Sequence, residues 1–264
     1  MTVTVNPPPP ADTEPLVTIT APTADRPLTA GEAIAFAGSA TDLEDGVLTV
    51  GLAWTSDRDG ALGAGGSVTH TLSAGTHHIT ATVSDSGHAI GVATVTLTVV
   101  SPPVAEFLPV ADAYVDSSAA GTSFGLSPLL RASSVGRISY LRFAVAGIGA
   151  QQIQRALLRL QVDTTTSAFS DSGGMVRRIS NHTWPEATVT YTTRPTLDGV
   201  VLASVGAVAL GQTVDFDVTT ALQGDGPYSF ALTSASSNTV DYRARESTTP
   251  PRLIVTLAAN APRV

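Results

Sequence analysis

The chain has 264 residues, 14 arginines, no lysine, no cysteine and a formal charge of −8. Without thiols there are no disulfides, thiolate metal sites or cysteine nucleophiles, and an acidic chain with no basic run is not built to hold a phosphate backbone, so no nucleic-acid partner is expected. Threonine, valine, serine, alanine and glycine dominate and no apolar run reaches the roughly 20 residues of a membrane span, so the composition predicts an all-β protein with no membrane insertion.

Thr2-Val3-Thr4-Val5 followed by Pro7 to Pro10 echoes Thr96-Leu97-Thr98-Val99-Val100 followed by Pro102-Pro103. Both read as a final strand running into a proline linker. Residues 1–14 are therefore expected to be the remnant strand and Pro-rich linker of a preceding module, and the chain a monomeric fragment whose neighbours are further modules of the same polypeptide. Residues 15–101 follow as one domain of six or seven strands separated by Gly/Asp turns. Ala93, Val95, Leu97 and Val99 alternate with Thr94, Thr96 and Thr98, and Ile79, Ala81 and Val83 repeat the period of two. Trp54, the only tryptophan of this half, reads as a core anchor.

This half resembles bacterial Ig-like domains of the polycystic-kidney-disease and cadherin-like kind. The resemblance is carried by Ala40-Thr41-Asp42-Leu43-Glu44-Asp45-Gly46, Trp54-Thr55-Ser56-Asp57-Arg58-Asp59-Gly60, Leu72-Ser73-Ala74-Gly75-Thr76-His77 and Val83-Ser84-Asp85. The Asp-Phe-Gly-Asp-Gly run of the first kind does not follow Trp54. The resemblance implies an Ig-like β-sandwich acting as a spacer.

Residues 104–260 read as a larger β unit with at most one short helix, over Thr219 to Gln223 and ended by Gly224. Leu141, Phe143 and Val145 alternate with Tyr140, Arg142 and Ala144, and Ala156, Leu158, Leu160 and Val162 with Arg155, Leu157, Arg159 and Gln161. The second faces are expected to carry the polar groups. The unit resembles the DNRLRE family, which overlaps carbohydrate-binding module family ninety-six. The matching text is Ala111-Asp112-Ala113-Tyr114-Val115, Phe124-Gly125, Tyr140-Leu141-Arg142-Phe143, Trp184-Pro185-Glu186, Thr190-Tyr191, Arg194-Pro195, Phe216-Asp217-Val218-Thr219, Arg245-Glu246 and Pro251-Arg252-Leu253-Ile254-Val255. Ala144 stands where the family usually has Asp. The resemblance implies a jelly-roll β-sandwich, found appended to secreted enzymes and surface proteins, that binds polysaccharide, in some members an acidic one such as alginate.

The acidity is confined to the first part of the chain. Up to residue 103 there are 2 arginines against 10 carboxylates, and beyond it 12 against 12. Asp42, Glu44, Asp45 and Asp85 are placed in loops at one end of the first domain, and Asp57 and Asp59 at the other. Carboxylates clustered beside Gly turns suit structural Ca²⁺, which takes six to eight oxygens, although the same residues are also good turn formers. In the second half Asp112, Asp217 and Glu246 fall within the family-like motifs and are further candidate calcium ligands, with Asp217 equally suited to cap the helix after it.

Arg131, Arg142, Arg155, Arg159, Arg177, Arg178 and Arg243, with Tyr114, Tyr140, Tyr191 and Tyr242, are the candidate ligand-facing groups. Arginine forks onto carboxylates and tyrosine stacks on sugar faces. Arg155 and Arg159 share one strand face and form the foremost pair; the opposing reading is that such arginines pair internally with acids. Trp184 reads as core packing. Gly121-Thr122-Ser123-Phe124-Gly125 matches a nucleophile elbow but lacks the strand before it and the helix after it, so it reads as a chance match. His77 and His78 are adjacent on a strand, face opposite ways and cannot share a metal. With no catalytic constellation, the expectation is a non-enzymatic polysaccharide-binding module with an Ig-like spacer, extracellular or on a bacterial cell surface. A purely structural stalk or adhesin segment is the alternative.

Overall fold

The computed structural model describes residues 12–25 and 27–258; the expected remnant strand at residues 2–5 and the run Pro7 to Pro10 lie outside them. The described chain divides into two units, one ending at Pro102 and one spanning Pro103–Ala258. Both are built from strands, and no α-helix occurs among the described residues.

In the first unit the alternating runs become β1 (Leu16–Ala21), β2 (Leu28–Thr29), β3 (Ala33–Asp42), β4 (Gly46–Val47), β5 (Ala53–Ser56), β6 (Gly60–Ala64), β7 (Ser67–Thr71), β8 (Gly75–Ser84) and β9 (Ile90–Val100). These exceed the expected six or seven by the two-residue β2 and β4, which are too short to show an alternation. One sheet joins β1, β4 and β7 to β3, and the other runs β2-β9-β8-β5-β6. Phe36, Trp54, Ile79, Ala81 and Leu97 fill the space between them. Trp54 tilts against Phe36 with ring centroids 6.0 Å apart, and its Nε1 donates to the Gly65 carbonyl at 2.8 Å. Gly38 makes room for that ring, because a Cβ there would stand 3.1 Å from the indole and 2.6 Å from the Thr18 carbonyl. His77 is buried while His78 is exposed, the opposite orientation that neighbouring strand residues require.

The second unit contains β10 (Val104–Phe107), β11 (Pro109–Asp116), β12 (Leu129–Ala132), β13 (Arg137–Val145), β14 (Ile153–Gln161), β15 (Gly174–Ile179), β16 (Val201–Val205), β17 (Thr213–Asp217), β18 (Gly226–Thr233), β19 (Val240–Arg243) and β20 (Arg252–Leu257). They form a four-stranded sheet, β10-β20-β14-β17, a five-stranded sheet, β11-β13-β18-β15-β16, and a β12–β19 pair. Leu141, Phe143, Phe230 and Leu232 of the larger sheet meet Leu158, Leu160, Phe216, Leu253 and Val255 of the smaller in one core. The expected helix after Asp217 is instead a three-residue 3-10 turn, Thr219–Ala221. Asp217 Oδ1 accepts from the Thr219 N–H at 3.0 Å and its hydroxyl at 2.6 Å, an Asx-type closure, and the β-branched residues there oppose helix extension. Phe124 makes a strand bridge to Tyr114 and a turn follows it, so Ser123 is on no nucleophile elbow.

The larger sheet is covered on its outer face as well. The 21 residues between β15 and β16, residues 180–200, run across it without regular structure. Trp184 and Val189 of this segment pack with Ala111, Ala113, Val115, Tyr140 and Ala231 of the sheet in a second small core. That is why Tyr140, on the face expected to be polar, is fully buried. Its hydroxyl donates to the Pro195 carbonyl at 3.0 Å, and Arg142 Nη1 donates to the carbonyls of His182 at 3.0 Å and Trp184 at 2.9 Å. A buried carbonyl left without a donor costs about 1–3 kcal/mol. Tyr140→Phe is therefore expected to lower unfolding free energy by about 1–2 kcal/mol and to speed amide exchange selectively within residues 180–200. Tyr242→Phe, which removes a donor to the Gly173 carbonyl, should cost a similar amount without loosening that segment. Denaturant melts and hydrogen-exchange mass spectrometry check both.

Candidate functional site

The second unit's arginines sort into two groups by what faces them. Arg131, Arg137, Arg155, Arg159, Arg243, Arg245 and Arg252 each stand 2.6 to 3.9 Å from a carboxylate. Among the described residues, Arg142, Arg177, Arg178 and Arg194 have no such partner; the first three lie beside residues 180–200 and Arg194 within them. Arg142 is spent on the two carbonyls named above, with its guanidinium 5.2 Å over the Trp184 ring. Arg177 Nη1 reaches the Gly199 carbonyl at 3.5 Å.

The expected pair Arg155 and Arg159 does share the open outer face of the smaller sheet, but the fork of Arg159 is closed by Asp215, with Nε–Oδ1 at 2.7 Å and Nη2–Oδ2 at 2.8 Å. Arg155 is 61% exposed and 3.9 Å from Asp217. Arg131 lies 3.4 Å from the buried Asp241 and 5.5 Å over the Tyr114 ring, and Arg243 is tied to Asp163 at 3.2 Å. Tyr140 and Tyr242 are fully buried and present no face to a ligand, because each hydroxyl is turned inward to a backbone carbonyl. Trp184 is buried as core.

A cleft of about 550 Å³ opens where β15 and β16 meet the 3-10 turn and the covering segment. Arg178, Ser180, His182 and Asp198 give it polar walls, and Val200 and Leu202 an apolar one. Val200 is 78% exposed. Arg178 is oriented by donation from Nη1 to the Ala221 carbonyl at 3.2 Å and by the Tyr228 ring, 5.5 Å away. Its Nε and Nη2 make no hydrogen bond among the described residues. His182 is fixed by its Nδ1 contact to the buried Ser229 hydroxyl at 3.1 Å. Burial first, and then the charges of Arg178 and Arg142, hold its imidazole below the usual histidine range, with Asp198 opposing. Asp198 is itself held below the usual carboxylate range by the Ser180 hydroxyl and N–H. The cleft thus offers a fixed cation, an ionised carboxylate engaged by Ser180, neutral hydrogen-bonding groups and an apolar wall. Sequence reasoning had Arg178 as one of eleven candidates but neither His182 nor Asp198; the only signal available was that consecutive Arg177 and Arg178 must face opposite sides of a strand.

Three carboxylates converge elsewhere. Oxygens of Asp112, Glu186 and Glu246 lie within 4.8 Å of one another, the only such group of three among the described residues. Glu186 accepts from the Asp112 N–H at 2.7 Å, and Asp112 from the Arg245 N–H at 2.8 Å. Arg245 Nη1 donates to both Glu186 oxygens, at 3.0 and 2.8 Å. Asp112 is 1% exposed, and burial, reinforced by Glu246 and Glu186 and opposed by Arg245, pushes its carboxyl up to about 7. An all-oxygen donor set around one buried carboxyl fits a hard cation such as Ca²⁺.

Of the expected metal ligands, Asp112 and Glu246 come together there, joined by Glu186, which the sequence did not single out. Asp217 stays apart at its turn. In the first unit, Asp42 accepts from the Glu44 and Asp45 N–H groups at 2.9 and 2.8 Å, and Asp45 from Ser86 at 2.7 and 2.9 Å. Asp85 accepts from the Ala89 N–H at 2.8 Å. These residues do gather at one end, where Asp85, Glu44, Asp42 and Asp45 add to desolvation in raising the Asp12 carboxyl. They nevertheless place no three donor atoms within 4.8 Å, because their oxygens are turned to close separate loops. Asp57 and Asp59 close turns in the same way, onto His78 and Ser73.

The sequence profile of carbohydrate-binding module family 96 matches residues 103–257, all of the second unit but its last residue. The chain belongs to that family. The family 96 match begins after the first unit, which lies outside it. Among solved structures, similarity extends to carbohydrate-binding modules from the β-sandwich superfamily described for promiscuous specificity, at 12% identity over 96% of this chain and 94% of that one, with a TM-score of 0.30. It extends also to the Clostridium perfringens ZmpB M60 catalytic domain with its CBM51-1 and CBM51-2 domains, at 12% identity over 84% of this chain and a TM-score of 0.26. A third is ZmpB CBM51-2 in complex with GlcNAc with INT domains, at 13% identity over 94% of this chain and a TM-score of 0.21. The alignments span 21% and 49% of the two ZmpB chains. No curated protein matches the chain.

The cleft's electrostatics are testable without a ligand. By NMR, the His182 imidazole should titrate below 6.5, and Arg178→Met, by removing a neighbouring positive charge, should move that midpoint upward.

Proposed function

We propose that this family 96 module holds an acidic, uronate-containing polysaccharide without modifying it, and that Arg178 receives a sugar carboxylate in the cleft beside β16. The observation that carries this reading is that the four arginines of this unit lacking a carboxylate partner among the described residues gather beside or within residues 180–200, with Arg178 among them lining a concave site. Elsewhere on the unit positive charge is met by negative, whereas here a carboxylate would supply what the protein withholds. Val200 and Leu202 would take the C–H face of the ring, and Ser180 and His182 its hydroxyls. The first unit, Ig-like in its sequence motifs, would serve as a spacer within a larger secreted or surface-attached bacterial protein. A purely structural stalk segment is the competing reading and binds no glycan.

The trio Asp112, Glu186 and Glu246 is proposed as a structural Ca²⁺ site. It would join β11 to the covering segment and to the turn after β19, and so hold the cleft's roof in place.

Affinity electrophoresis or calorimetry should give binding to a polyuronate and none to a neutral glucan. Loss of a charge-assisted hydrogen bond is worth about 1.5–3 kcal/mol, so Arg178→Gln should weaken binding about 10- to 100-fold. Arg155→Ala and Arg159→Ala should bind within about twofold of the parent, since the Arg159 fork is closed by Asp215 and Arg155, opposite Asp217, lies outside the cleft. Equal binding by Arg178→Gln would remove the cleft from the reading. For calcium, a free concentration about 100 times the dissociation constant should stabilise the fold by about 2.7 kcal/mol. The resulting rise in melting temperature should disappear in Asp112→Asn and Glu186→Gln and persist in Asp42→Asn.

A further inference from the structure

A second depression has Arg194, Pro195, Thr196 and Leu197 along one side. The next residue, Asp198, lines the cleft already described. One short stretch of backbone therefore forms a wall of both. We infer that the two hollows are consecutive subsites for one polymer chain, with Arg194 taking a second carboxylate, so that the module grips an internal run of acidic sugars rather than a chain end. This rests on the glycan reading above and adds a second binding site to it.

Each hollow holds one arginine that has no carboxylate partner among the described residues. The Arg194 guanidinium lies 3.8 Å from the Tyr191 ring centroid and donates from Nη1 to the Tyr191 carbonyl. Stacking and hydrogen bond together fix the plane of the fork. Its Nε and Nη2, like those of Arg178, make no hydrogen bond among the described residues. Asp198, the one acid between the two arginines, does not neutralise either: Oδ1 accepts from the Ser180 N–H at 3.0 Å and Oδ2 from the Ser180 hydroxyl.

The dividing wall is also held rigid. The Pro195 carbonyl is bound by the buried Tyr140, proline fixes its own φ, and Leu197 packs into the outer core. Two preorganised cations separated by a fixed wall favour a ligand that repeats its carboxylate along a chain. Once one sugar is seated, the next carboxylate is delivered at high effective concentration, and little entropy is left to lose. A monosaccharide can engage only one fork.

Isothermal titration of the whole chain with a uronic acid monosaccharide and with its disaccharide and tetrasaccharide tests this. The tetrasaccharide should bind about tenfold or more tightly than the monosaccharide. Arg194→Gln should abolish that gain while leaving monosaccharide affinity within about twofold and the melting temperature near the parent's. Arg178→Gln should abolish the gain as well. If Arg194→Gln binds the tetrasaccharide as tightly as the parent while Arg178→Gln loses it, there is a single subsite; the second is then overturned and the glycan reading stands. If the parent binds none of the three, the glycan reading fails and the second subsite falls with it.

Discussion

A five-stranded sheet that is apolar on both faces must be covered twice, and the second covering shapes everything functional in this unit. The inner face is met by another sheet, whose backbone groups pair with one another. The outer face is met by residues 180–200, an irregular segment whose carbonyls have no ladder to join. Buried carbonyls need donors, and the sheet supplies them from Tyr140, Arg142 and Arg177. A guanidinium bound to neutral carbonyls keeps its full charge unopposed. Holding the segment down therefore gathers positive potential in the place where the cleft opens, and low-dielectric walls concentrate such a field.

The opposite surface is organised otherwise. On the outer face of β10-β20-β14-β17, Glu106 meets Arg252 at 2.6 Å and Asp215 meets Arg159 at 2.7 Å across neighbouring strands. Exposed pairs of this kind contribute little to stability, about 0–1 kcal/mol each, but they cancel one another's fields and satisfy one another's hydrogen bonds. A flat sheet whose arginines each face an acid offers a carboxylate little unopposed charge. The unit's formal charges balance, yet this face pairs its arginines with acids, whereas Arg142, Arg177, Arg178 and Arg194, beside or within residues 180–200, have no acid partner among the described residues.

Much of the architecture was legible because strands advertise themselves by alternation. Ile79, Ala81 and Val83, or Leu158, Leu160 and Val162, are buried in the order their spacing requires. The rule failed at Tyr140 and Arg142, whose alternation correctly turned them away from the main core; no local pattern reveals that a distant segment folds back over that face. It failed again after Asp217, where a capping residue closed a single turn. The site was less readable still. Arg155 and Arg159 stood out because they share a face, but their acidic partners Asp215 and Asp217 lie on another strand, more than fifty residues away. Arg178, His182 and Asp198 converge only after β15, the covering segment and β16 have come together. Asp112, Glu186 and Glu246 all lie in the quoted motif text, but nothing local marked Glu186 as a partner of Asp112 before the 74-residue closure that brings it to the Asp112 N–H.

The tethers of the covering segment seize main-chain oxygens at His182, Trp184, Pro195 and Gly199, groups that every amino acid possesses. Only a few of its side chains, Trp184, Val189 and Leu197 among them, are committed to packing. Apart from Glu186, whose carboxylate accepts from the Asp112 N–H and from Arg245, the rest can be exchanged over evolutionary time without unseating the roof. Such a scaffold can drift from one saccharide preference to another by altering hollow-lining positions such as Ser180, Thr196 or Val200, while the sandwich beneath stays as it is.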